Sequence, residues 1–238
     1  LQYCMSRVGD VDSRNEAQQR FVVMRHAERA DGWGHGDWYR SEDFRRWPND
    51  PPLTKRGLKA AQEVGHQLAR DLGEVDGIAS PIMIVSSPFF RCVQTAVELC
   101  SAAAPGSKIL LDNELGEVFS SDHFGDEKPQ SRVTRSMDEI YAYCHEKGVV
   151  VEWERVGQQP RWPENLPGAR LRFLCRFLHY LEEGRNTEQN FALVTHLNGV
   201  QAALSAMPSM RKVSVAKVDY CGYFLGTARL PPSAAFQW

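Results

Sequence analysis

Two arginines and two histidines are the residues of this 238-residue chain whose types and spacing bear most directly on chemistry. Arg25 and His26 stand directly after the apolar run Phe21-Val-Val-Met24. Ser86-Ser87-Pro88 ends a second apolar run just before Arg91, and Thr195-His196 ends a third. Two guanidiniums and two imidazoles around one point suit transfer of a phosphoryl group, an anion whose charge is spread over three oxygens. Histidine is a nucleophile when neutral, and neighbouring arginine charges lower its pKa and favour that form. Arg25, Arg91 and His196 would supply positive charge and hydrogen-bond donors. A helix opening at Phe89 would aim free N–H groups at the same place. An isolated Arg-His pair is weak evidence in a chain with 21 Arg and 7 His. Three polar strand ends able to converge give it weight.

The elements that must position these residues are read from periodicity. Strands are predicted at 20–26, 82–88, 108–115, 190–196 and 218–228. Helices are predicted at 54–73, 89–103, 168–184 and 198–207. Thr54 is the expected N-cap of the first helix, whose stripe is Leu58, Ala61, Val64, Leu68 and Leu72. Leu171, Leu174, Leu178 and Leu181 form the stripe of the third. This alternation predicts the α/β class, with a mostly parallel central sheet in a three-layer α/β/α arrangement. Ligands in such folds bind outside the carboxyl ends of the strands. Residues 1–19 read as a polar N-terminal arm and 20–238 as a single domain. Loop insertions are expected at about 30–52, which carries Trp33, Trp38, Tyr39, Phe44 and Trp47, and at 118–167, which carries VVVEWE at 149–154. Glu164 reads as a carboxylate at the start of the helix that follows it.

The whole chain narrows the function classes. Its formal net charge of −2 leaves no electrostatic footprint for nucleic acid or an anionic membrane. No apolar run reaches the length needed to span a bilayer. The six cysteines contain no C-x-x-C pair, which argues against a zinc site and a disulfide scaffold. Cys92, Cys100 and Cys175 sit in apolar helical patterns, as small core residues do. A reduced, cytoplasmic setting fits this usage, although an even count leaves disulfides open. A homodimer is allowed by the sequence.

RHAER at 25–29, DPPLTKRG at 50–57, SSPFFRCVQTA at 86–96, LGE at 115–117 and THLNG at 195–199 stand in this order. Together they resemble the histidine phosphatase superfamily, in the branch with the phosphoglycerate mutases, over about 21–226. NDPPLT and SPFFRCVQTA are most similar to the TULA (suppressor of T-cell receptor signalling) phosphatases, as is the late MRKVSVAKVDYCGYF. The resemblance implies a phosphoglycerate mutase-like fold and a phosphomonoesterase that works without metal or cofactor. His26 would form a phosphohistidine, and Arg25, Arg91 and His196 would bind the phosphoryl oxygens. Glu117 would be the general acid that later activates water, with Glu114 and Glu28 as the other carboxylates in reach. The implied substrate is a phosphorylated small molecule or phosphoprotein. Because Glu117 must be protonated while His26 is neutral, an optimum on the acidic side of neutrality is expected. Two other readings stay open: mutase-type transfer to a sugar-acid acceptor, and a catalytically silent phosphate-binding domain. The absence of an RHGxSxxN stretch weighs against the first, and the intact His26 with both arginines against the second.

Overall fold

A computed structural model describes residues 18–32, 36–72, 82–129, 133–207, 215 and 217–229. Almost all of the expected arm, together with Cys4 and Trp33, lies outside them. Six strands are present: β1 (Gln18–Arg25), β2 (Ile82–Ser86), β3 (Lys108–Asp112), β4 (Val150–Val156), β5 (Asn190–Thr195) and β6 (Tyr223–Arg229). They form one sheet in the order β4-β3-β2-β5-β1-β6, with β6 antiparallel to β1 and the other pairs parallel. Helices α1 (Glu42–Arg46), α2 (Lys55–Leu72), α3 (Phe90–Ala103), α4 (Ser121–Phe124), α5 (Met137–Glu146), α6 (Leu166–Asn186) and α7 (Leu197–Ala206) complete the order.

The period-2 alternation of the strands divides the core between two faces. Val22, Met24, Ile84, Ala192 and Val194 join the α2–α3 side, whereas Phe21, Val23, Val85, Phe191 and Leu193 join the α6–α7 side. The central strands β1, β2 and β5 are therefore apolar on both faces. The register sets Arg25 beside Thr195 and Ser86 beside Val194, so the three polar strand ends lie side by side.

Thr54 caps α2 as expected: its Oγ1 accepts from the Gly57 N–H at 2.8 Å. Several other expectations are corrected. On α6 the buried stripe is Ala169, Phe173, Phe177, Tyr180 and Gly184, while Leu171 and Leu178 are exposed. Both stripes have helical period, and the aromatic one buries the larger surface. Cys175, expected in the core, is exposed on the same helix. The segment 118–167 is more than a loop insertion, because it supplies α4, α5 and the edge strand β4. β3 stops at Asp112 and turns into a 3₁₀ segment, Asn113–Leu115. The last strand starts at Tyr223, which leaves 218–222 as a loop over the end of β1. Within 30–52, a 3₁₀ turn (Trp38–Arg40) and α1 hold the aromatic residues. Trp38, Tyr39 and Phe44 pack edge-on against one another. The cap of α6 is Asn165, whose side chain accepts from the Gly168 N–H, and Glu164 is used elsewhere.

The two α6 stripes separate in a stability measurement. Phe177→Ala, at a position 1% exposed, is expected to cost about 3–5 kcal/mol of urea stability. Leu178→Ala, at a position 48% exposed, should stay within about 0.5 kcal/mol. Equal losses would restore the leucine stripe as the buried one.

Candidate active site

Hydrogen bonds across the sheet end bring the site together. The His26 N–H donates to the Thr195 carbonyl, and the Ser87 N–H to that of Val194, both at 2.9 Å. Ala27 N–H donates to Thr95 Oγ1, whose hydroxyl donates in turn to the Arg91 carbonyl. Strand β1 is thus fastened to the first turn of α3. Gly199, in the first turn of α7, has Thr195 so close that an added Cβ would sit 2.6 Å from its Oγ1. Only glycine admits that approach.

His26 is buried, and its Nδ1 lies 2.8 Å from the Ala27 carbonyl oxygen. A carbonyl can only accept, so Nδ1 carries the proton and Nε2 keeps the lone pair. Burial, with the charge of Arg91 next in weight, lowers the His26 pKa well below its ordinary 6.5. The imidazole therefore stands neutral at physiological pH with a free nitrogen. The neighbouring thiol of Cys92, 3.7 Å from His196 Nε2, is no rival nucleophile. Burial pushes its pKa up to about 12.

The His196 ring stands 5.3 Å from that of His26. Its Nε2 is 2.9 Å from Ser87 Oγ, and its Nδ1 is 3.1 Å from Glu117 Oε2. One tautomer satisfies both contacts: the Ser87 hydroxyl donates to Nε2, and Nδ1–H donates to the carboxylate. Burial pulls His196 down to about 4, against the opposing pull of Glu117. Burial also pushes the Glu117 carboxyl up, but His196 and Arg91 outweigh it and hold it well below the usual carboxylate range. At neutral pH the pair is a carboxylate receiving an N–H from a neutral imidazole, with the full positive charge on Arg91.

Arg91 is 2% exposed, and its Nη2 is 3.4 Å from Glu117 Oε2. Its Nε and Nη1 are buried and find no hydrogen-bond acceptor among the described residues. Asp50, fully buried, has an oxygen 3.9 Å from Nη1. That carboxylate accepts from the Phe90 N–H at 2.7 Å and the Arg135 N–H at 2.9 Å. Asp50 thereby orients the first turn of α3 and faces the Arg91 charge. Arg25 donates to the Val218 carbonyl at 2.7 Å and lies 4.2 Å from the centre of the Tyr220 ring. Its Nε is likewise buried without an acceptor among the described residues.

All five residues singled out in the sequence meet here. Of the three carboxylates, Glu117 alone touches Arg91 and His196. Glu28 is turned to the start of α2, where it accepts from Thr54 Oγ1 at 2.7 Å and pairs with Arg56. Glu114 faces Arg176. The sequence reading passed over Asp50, Arg29 and His123. Arg29 is held by Asp31, and its charge acts on Glu117, Arg25 and His196. It was visible as the second arginine of RHAER. His123 Nε2 stands 3.8 Å from Glu117 Oε1. A wall of rings, Trp162–Phe119–Phe124–Phe89, runs to His196, with successive centres between 5.1 and 6.2 Å apart. An open cleft of about 390 Å³ lies apart from these groups, lined by Glu114, Gln158, Arg161, Arg172, Cys175 and Arg176 among others. Converging chemistry, and not volume, marks the site. Among the described residues no group of three or more His, Cys, Asp or Glu side chains is placed to hold a metal ion.

A family model described as histidine phosphatase superfamily (branch 1) matches residues 21–219. The chain belongs to the histidine phosphatase superfamily. Ecdysteroid-phosphate phosphatase of Drosophila melanogaster is 28% identical over 124 residues, covering 42% of this chain. That match spans only 15% of the relative's own length. The ecdysone phosphate phosphatase of Bombyx mori, solved with tungstate, superposes with a TM-score of 0.65 at 20% identity, covering 90% of this chain and 94% of that one. Phosphoglycerate mutase from Bacillus anthracis gives 0.55 at 16% identity, covering 90% and 89%. At such identities the structures establish the fold, which is phosphoglycerate mutase-like.

The two buried imidazoles impose a pH dependence on stability. The unfolded chain takes up at pH 6.5 a proton that folded His196 refuses until about 4. Its contribution is full above 6.5 and is lost as pH falls through about 4. Asp50, raised from 3.8 to about 6, acts in the opposite sense, its contribution being lost as pH rises through 6. His196→Asn is expected to flatten the fall of the urea midpoint from pH 6.5 to 4. An unchanged slope would mean that His196 does not carry it.

Proposed function

We propose that this protein hydrolyses phosphomonoesters of aromatic or otherwise hydrophobic alcohols through a phosphohistidine on His26. The observation that carries the reading is the buried Arg91 guanidinium, whose Nε and Nη1 lack acceptors among the described residues, beside a neutral imidazole whose Nε2 keeps its lone pair. A phosphoryl group satisfies those donors and presents phosphorus to Nε2. Arg25 and Arg29 add positive charge nearby. In the first step Nε2 attacks phosphorus and the P–O bond to the alcohol breaks, the leaving oxygen taking a proton from Glu117. In the second, the Glu117 carboxylate takes a proton from water. The resulting hydroxide attacks phosphorus, the P–N bond breaks and His26 returns to its neutral form, while Glu117 hands its proton to the departing phosphate and is ionised again.

Glu117 is ionised in the resting site, so the proton for the first step must be brought in. A phosphomonoester monoanion carries one, with a second pKa of about 6, and a bound anion beside Arg91 offsets part of what holds Glu117 ionised, the rest coming from His196. The acidic optimum then follows from the substrate's ionisation and not from that of free Glu117. The ring wall and Tyr220 support a hydrophobic leaving group. So does the similarity to two insect proteins, an ecdysteroid-phosphate phosphatase and an ecdysone phosphate phosphatase. NDPPLT and SPFFRCVQTA support a TULA-like specificity, and with it phosphotyrosyl protein as a substrate.

Rapid quench with labelled phosphoester tests the covalent step. The expected result is an acid-labile, base-stable label on the protein, absent in His26→Ala, with kcat in that variant down about 10³-fold or more. Fast turnover without any label would exclude the phosphohistidine. A second measurement follows kcat/KM against pH for 4-nitrophenyl phosphate. A descending limb near the substrate's second pKa, about 6, is expected to disappear in Glu117→Gln. Its persistence there would place the proton elsewhere.

A further inference from the structure

The segment that carries Glu117 has little regular structure of its own. It is a 3₁₀ turn followed by extended chain, yet its polar groups are tied down almost one by one. Arg172 of α6 donates from Nη1 to the Glu114 carbonyl and to that of Gly116, the latter at 3.2 Å, and from Nη2 to that of Glu117 at 3.5 Å. Its remaining two N–H groups go to Glu164, from Nε to Oε1 at 2.8 Å and from Nη2 to Oε2 at 2.7 Å. All five donors of the guanidinium are used. Glu164 Oε2 also accepts from the Phe119 N–H at 3.1 Å, and the Glu164 N–H donates to the Phe119 carbonyl at 2.8 Å. The carbonyl that Arg172 passes over, Leu115, accepts from Thr195 Oγ1 at 2.8 Å.

We propose that Arg172 and Glu164 are the positioning pair for the Glu117 carboxylate. The proposal rests on the reaction assigned to Glu117 above. Neither residue touches the reacting groups, and both act through the backbone on which Glu117 is mounted. The planar fork of arginine is what reaches three carbonyls and a carboxylate at once, and a lysine ammonium cannot do so. Each member of the pair keeps only 11% of its side-chain exposure. Removing two charges from water is costly, so such a pair is weak evidence of a stability role. Apart from their bonds to each other, the hydrogen bonds of the pair's side chains go to residues 114–119, and the Arg172 guanidinium also lies 4.4 Å from the centre of the Phe173 ring. One turn further along α6, Arg176 and then Tyr180 grip Asp112, which accepts from the Glu114 N–H at 2.9 Å. The helix thus holds the segment at its entry as well as along its length.

The test is a double-mutant cycle on folded protein, with Arg172→Lys, Glu117→Gln and their combination assayed on 4-nitrophenyl phosphate and on an alkyl phosphate. Arg172→Lys is expected to lower kcat about 10–100-fold, the scale of a misplacement near 1 Å. KM should change by less than about threefold, because Arg25 and Arg91 are untouched. In the Glu117→Gln background the same change is expected to add nothing. Losses that multiply in the double variant, or an unaltered kcat in folded Arg172→Lys, overturn the proposal. If Arg172→Lys does not fold, Glu164→Gln enters the same cycle with the same expectation. The acid role of Glu117 is judged separately on kcat/KM, which reports the phosphorylation step alone: Glu117→Gln should lower it for the alkyl ester, with its poorer leaving group, far more than for the aryl ester. Equal slowing of both would sink the acid role, while additivity in the cycle still decides the positioning role.

Discussion

A guanidinium buried at the end of a parallel sheet is the constraint on which the rest of this structure depends. Taking the Arg91 charge out of water costs several kcal/mol unless counter-charges and acceptors surround it. The fold answers with two carboxylates drawn from separate connections, Asp50 ahead of α2 and Glu117 after β3. Neither saturates the group, since two of its nitrogens still lack an acceptor among the described residues. The remaining capacity points to an anion. The same charge helps to keep His26 neutral. The neutral imidazole, the ionised carboxylate and the unfilled guanidinium are therefore consequences of one buried cation.

Legibility in the sequence followed the range of the interactions. Arg25, His26, Arg91 and His196 were readable because each lies at or just past the end of an apolar run, and buried parallel strands place such ends together. Glu117 came from the resemblance, since a loop carboxylate has no periodicity to betray it. Asp50 stands in DPPLTKRG and Glu164 reads as a helix-start carboxylate, but neither signal, nor anything near Arg172, named the contacts these residues make. Their partners lie between 8 and 85 residues away in the chain, and only the folded topology brings them into contact. Strand β4 was missed for a related reason: as an edge strand it is solvated on one side, so VVEWERV lacks a continuous apolar run. On α6, leucines and aromatics offered two stripes of equal period. Size settled the choice in favour of the rings, which periodicity cannot weigh.

The resting state of Glu117 bears on how one carboxylate would serve both steps of the proposed reaction. An acid that is ionised before substrate arrives is poorly prepared for the first step and well prepared for the second, where it must take a proton from water. The asymmetry suits an enzyme whose substrate delivers its own proton as a monoanion and whose intermediate waits for water. It also matches the aromatic wall. A phenolic oxygen leaves with less protonation than an alkyl one, so a hydrophobic aryl ester asks least of a carboxylate held low by Arg91 and His196. The charge that binds the phosphoryl group thus weakens the acid beside it. A site built on a buried arginine gains most with leaving groups that need little help, and a segment braced by Arg172 keeps that limited help correctly placed.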